Sequence, residues 1–108
     1  MSHDIISDEK LESALLYLSL TDDKYAHAKA GLERSEILRK RVRARIFLGA
    51  SGTVAERQAI AEGSTESAEA DDAYIEALGA AESLKARRQR AEIVIDVWRS
   101  LNASKRKS

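Results

Sequence analysis

The sequence predicts an all-α protein: an elongated antiparallel helical hairpin, coiled-coil-like, with a short helix near the turn. Three observations lead there. The 108 residues contain no proline and only five glycines, so helix breakers are scarce while Ala, Leu, Glu, Lys and Arg dominate. Apolar and small residues recur on a seven-residue beat through two long stretches. Between those stretches lies a glycine-containing break followed by a Thr-x-x-Glu capping sequence.

Residues 1–7 read as a lead-in to a single helical domain spanning 1–108. Ser7 or Asp8 can cap a long helix over 8–48, with Asp8 and Glu9 placed in its positive first turn. Its seam runs Leu11, Leu18, Tyr25, Leu32, Arg39, Ile46, with a companion row Ala14, Thr21, Ala28, Ser35, Val42. So narrow a seam, rich in small residues, suits close helix approach. Thr21-Asp22-Asp23 could also cap a new helix, which leaves one continuous helix or a break near residue 20.

Gly49-Ala50-Ser51-Gly52 supplies the stop. Thr53-Val54-Ala55-Glu56 then forms a capping box, the Thr53 hydroxyl accepting from the Glu56 N–H and the Glu56 carboxylate reaching back to the Thr53 N–H. A short helix over 53–62 should end at Gly63-Ser64-Thr65, and a second long helix should occupy 66–102. The second seam reads Ala70, Ala77, Leu84, Ala91, Trp98 with Tyr74, Ala81, Arg88, Ile95. Gly79 costs this helix about 1 kcal/mol relative to alanine. The basic end 103–108 has no periodicity and should fray.

Neither long helix can bury its stripe alone, so the two should fold back on each other. Placing residue 48 opposite 66 makes paired numbers add to about 114. Arg39, Lys40, Arg41, Arg43 and Arg45 then face Glu69, Asp71, Asp72 and Glu76. Lys85, Arg87, Arg88 and Arg90 fall beside Asp22 and Asp23, and the basic tail beside Asp8, Glu9 and Glu12. A parallel or slipped pairing would lose that match.

Composition restricts function further. Eighteen basic and eighteen acidic residues cancel, so bulk charge drives no capture by nucleic acid or membrane. The absence of cysteine removes disulfides, thiolate chemistry and Cys-ligated zinc. No apolar run nears the roughly 18 residues of a membrane span, and the start lacks the pattern of a signal peptide. A soluble, cytoplasmic protein with no membrane partner is expected.

Catalysis finds no foothold. His3 lies in the lead-in and His27 between two alanines, and neither has a second ligand at metal spacing. Asp22/Asp23 and Asp71/Asp72 are adjacent pairs whose side chains diverge by about 100° on a helix. Gly49–Thr53 lacks both the Lys-Ser/Thr ending and the preceding strand of a phosphate loop. A two-helix fold also leaves little room for a concavity of a few hundred cubic ångströms. The expectation is a non-enzyme without cofactor or metal.

Two other classes remain. Arg39, Lys40, Arg41, Arg43, Arg45, Lys85, Arg87, Arg88 and Arg90 are dense enough to contact phosphates, unless they pair across the hairpin. Apolar residues off the seam, among them Leu16, Leu20, Ile37, Leu38, Phe47, Leu48, Leu78, Val94, Val97 and Leu101, need a second cover. Self-association should supply it, through an interface comprising Leu11, Leu15, Leu18, Ile95, Trp98 and Leu101.

Thr53-Val54-Ala55-Glu56-Arg57 and the ending Ala91 through Ala103 carry a resemblance to small bacteriophage helical-hairpin proteins, covering about residues 10–103. The architecture resembles the UvsY-type recombination mediators. That resemblance implies a homo-oligomer in the host cytoplasm that binds single-stranded DNA, recruits a recombinase or single-strand-binding protein, and assists recombination or replication. The alternative is a purely protein-binding adaptor, scaffold or inhibitor whose charges only fix register.

Overall fold

The computed structural model describes residues 6–107, except for the side chains of Arg106 and Lys107. The first five residues of the lead-in, His3 among them, and Ser108 of the tail lie outside the described residues. The chain forms α1 (Asp8–Gly49), α2 (Val54–Glu62) and α3 (Thr65–Lys107). Among the described residues there is no strand.

The Ser7 cap holds: its hydroxyl accepts from the Lys10 N–H at 3.2 Å and its carbonyl from Leu11 at 3.0 Å. There is no break near residue 20. Thr21 lies inside α1 and its hydroxyl donates back to the Tyr17 carbonyl at 2.7 Å, a bond a helix interior accommodates. The tail expected to fray is a correction, because α3 continues to Lys107. No glycine or proline follows Gly79, and basic residues at a helix C-terminus favour its negative end.

The fold consists of two compact units: Met1–Ala26 with Glu82–Ser108, and His27–Ala81. In the first, Ala14, Ala91 and Ile95 are buried, with Leu11, Tyr17, Leu18 and Val94 packed against them. Leu84 is buried as well. Trp98 meets Asp8 while Arg88 meets Asp22, so the two helices run antiparallel here. In the second unit Arg43 meets Asp71 and Arg45 meets Glu66, in the same antiparallel sense.

Every expected seam position in both units is buried or half-buried. The two seam arginines each lie over a tyrosine of the opposite helix, Arg39 over Tyr74 at 4.3 Å and Arg88 over Tyr25 at 5.3 Å. Both pairs of numbers add to 113, and Arg43 with Asp71 adds to 114. The charge-derived register is therefore correct to within one residue at these contacts.

α2 belongs to the second unit, and hydroxyls and glycines shape its ends. Gly52 has φ of 115°, a conformation side chains rarely adopt, and a Cβ there would sit 2.8 Å from the Glu56 carboxylate. The Thr53 hydroxyl accepts from the Glu56 N–H at 3.2 Å and lies 3.1 Å from Glu56 Oε1, to which it donates. The carboxylate thus returns to the hydroxyl, a correction to the expected return to the Thr53 N–H. Gly63 ends α2 with φ of −86°, so no left-handed cap is used there. A Cβ at Gly63 would lie 3.1 Å from the Ala59 carbonyl oxygen, which favours glycine for space. Ser64 then caps α3, accepting from the Ser67 N–H at 3.1 Å. Ser67, only 1% exposed, donates to the Ala61 carbonyl, closing the α2–α3 joint with its polar group satisfied.

Candidate functional site

The nine basic residues singled out from the sequence separate into two groups. Arg39, Lys40, Arg43, Arg45 and Arg88 are engaged within the chain. Arg88, whose side chain is 13% exposed, donates to the Leu18 carbonyl at 3.0 Å, to Thr21 Oγ1 at 2.7 Å and to Asp22 Oδ1. Thr21 gives its own proton to Tyr17, which leaves its lone pairs for Arg88. Arg43 and Asp71 are about one-third exposed and 2.6 Å apart. Arg45 reaches Glu66, outside the acidic block expected to face it, at 2.7 Å. Lys40 lies 3.5 Å from Glu36, one helical turn away and well exposed.

Arg41, Lys85, Arg87 and Arg90 are exposed. Arg87 and Arg90 come together with Lys10 around a groove of about 670 Å³ in the first unit. Ala14, Tyr17, Ala91 and Val94 supply its apolar lining, and among the described residues Glu9 is the one acid that lines it. The expectation that the fold leaves little room for such a concavity is corrected here. Small seam residues leave the helix flanks standing above the contact line, so a cleft opens beside it. Arg41 borders a smaller groove in the second unit with Ala30, Ile37 and Leu38.

At the end expected to hold the basic tail, Lys105 lies beside Asp8, and the side chains of Arg106 and Lys107 fall outside the described residues. Trp98 Nε1 donates to Asp8 Oδ1 at 3.4 Å, and Lys105 lines the same small cleft. Among the residues expected to form an oligomer interface, Ile95 is buried in the first unit's core, and Leu11 and Leu18 pack against it. Trp98 and Leu101 are half-buried, whereas Leu15 is 49% exposed. Most of that set therefore serves the internal seam. The surface available for contact lies on other side chains: Leu16, Leu20, Ile75 and Ile93 are each more than half exposed.

His27 is exposed, and among the described residues no group of three or more His, Asp or Glu side chains could hold a metal ion. No helix among the described residues is long and apolar enough to cross a membrane.

Sequence reasoning missed Arg57. Its Nε donates to the Phe47 carbonyl at 3.1 Å, and its guanidinium lies 4.4 Å from the Phe47 ring. The last turn of α1 has no basic residue of its own, so Arg57 brings a cation to that negative helix end from α2. Its place inside the Thr-Val-Ala-Glu-Arg segment was the only available signal.

Comparison of the chain with protein families, curated proteins and solved structures finds no match.

Proposed function

We propose that this protein is a non-enzymatic helical interaction module, an adaptor or scaffold that works through its outer apolar side chains. The observation that carries the reading is an inversion of size between inside and outside. Four of the six buried apolar residues among those described are alanine, namely Ala14, Ala61, Ala81 and Ala91. Leu16, Leu20, Leu48, Val54, Ile75 and Ile93 meanwhile stand 58–73% exposed. Burying one such side chain in a partner is worth about 1.5–3 kcal/mol. The engaged arginines support the same reading, since charges used in hairpin register are withdrawn from phosphate.

A second reading is favoured by one observation, the exposed Lys10, Arg87 and Arg90 around a single groove. It is the phage-type accessory role, weak binding of single-stranded DNA in recombination or replication. Fluorescence anisotropy of a labelled oligonucleotide at about 50 and 200 mM salt separates the two. The adaptor reading expects no binding at either concentration, with exposed-leucine variants such as Leu16→Ser and Leu20→Ser losing partner or self-association. Tight binding at low salt that collapses at high salt would replace it with the DNA-binding reading.

A further inference from the structure

We propose that the basic groove of the first unit is the seat for a second copy of this chain, which enters with the acidic outer stripe of α3. This rests on the interaction-module reading and names the partner of one of its surfaces. Lys10, Arg87 and Arg90 surround the groove, and among the described residues none of the three side chains has a hydrogen bond or ion pair within the chain. Ala14 and Ala91 make the floor shallow in side-chain bulk, leaving space for a neighbour's larger residue.

The complement lies in the second unit of the same sequence. Glu69, Asp72, Ile75, Glu76 and Gly79 fall within an arc of about 120° on α3 at 100° per residue. All five are exposed, and Ile75 stands 62% exposed. Glu69, Asp72 and Glu76 likewise make no hydrogen bond or ion pair within the chain among the described residues. Gly79 has nothing within 4 Å of where a Cβ would be, so its backbone stands open to close approach. Three unpaired cations around an apolar cleft thus match three unpaired anions around one projecting isoleucine. Opposite charges of this kind steer association and fix register.

The test uses the full-length chain and a charge swap. Sedimentation equilibrium across a concentration series gives the self-association constant of wild type, of Arg87→Glu with Arg90→Glu, and of Asp72→Arg with Glu76→Arg. All four positions are exposed, and circular dichroism checks that each variant keeps its helices. Each double variant should associate at least tenfold more weakly than wild type, and an equimolar mixture of the two should regain mass that neither has alone. Ile75→Ser should weaken association without changing its salt dependence. A wild type that stays monomeric, or charge variants that associate as wild type does, would overturn the proposal. Loss of oligonucleotide binding in Arg87→Glu with Arg90→Glu, at unchanged mass, would assign the groove to nucleic acid. If association persists but depends on Leu16 and Leu20 instead, this groove assignment fails while the module reading stands.

Discussion

Arg88 occupies a seam position yet reaches two neutral acceptors as well as a carboxylate, and its replacement by methionine measures what that arrangement contributes. Methionine keeps most of the aliphatic stem and can offer its thioether to the Tyr25 ring in place of the guanidinium, whose carbon lies 5.3 Å from the ring centroid. The bonds to Leu18 and Thr21 are each worth about 1 kcal/mol, somewhat more because the donor is charged. The Asp22 bond adds at most about 0.5–1 kcal/mol, since that carboxylate is 66% exposed and returns to water. The Leu18 and Thr21 bonds are only part-buried and Asp22 is exposed, so Arg88→Met should cost about 2–3 kcal/mol. At about 4 °C per kcal/mol for a chain of this size, the melting midpoint should fall by about 10 °C. Urea unfolding followed by far-ultraviolet circular dichroism gives the number. Arg45→Met, which breaks a pair whose side chains are 69% (Arg45) and 59% (Glu66) exposed, is the control and should cost less than about 1 kcal/mol. The difference should survive in about 1 M salt, where the Debye length is only about 3 Å, because two of the three acceptors are uncharged. Equal losses for the two variants would refute the assignment of Arg88 as the anchor of the seam.

Thr53→Ala should cost about 1 kcal/mol in the same assay, because the hydroxyl that caps α2 is removed; an unchanged midpoint would count against the cap. Gly31→Ala should gain about 0.5–1 kcal/mol, since the site is helical and nothing lies within 4 Å of the added Cβ. Ala14→Leu should destabilise by about 1–3 kcal/mol by forcing a larger side chain into the close α1–α3 contact. A stabilised Ala14→Leu would mean that the seam has slack.

Most of the fold was legible because one periodicity governs it. The heptad rows named from the sequence are the rows the structure buries, and Thr53 begins α2 as its capping pattern requires. Arg43 with Asp71 and Arg88 with Asp22 could be anticipated from blocks of opposite charge. Arg45 with Glu66 could not, since a long arginine can reach several acids around one register. The end of α3 was missed because lack of apolar periodicity does not prevent a helix when every residue tolerates one. Arg57 on the Phe47 carbonyl depends on the angle at which α2 leaves α1, and no local pattern encodes that angle. The groove around Arg87 and Arg90 was hidden for a related reason: its members are distant in sequence, and only packing brings Lys10 to them.

A ladder made so largely of alanines has a thermodynamic consequence. Heat capacity and denaturant sensitivity both track the apolar area released on unfolding, and methyl groups release little of it. The increment on melting should therefore fall below the roughly 1.2–1.5 kcal/mol/K usual for a hundred-residue domain. A flatter stability curve follows, with gradual melting and little tendency to cold-denature, so that the isolated chain gives way softly over a wide span of temperature.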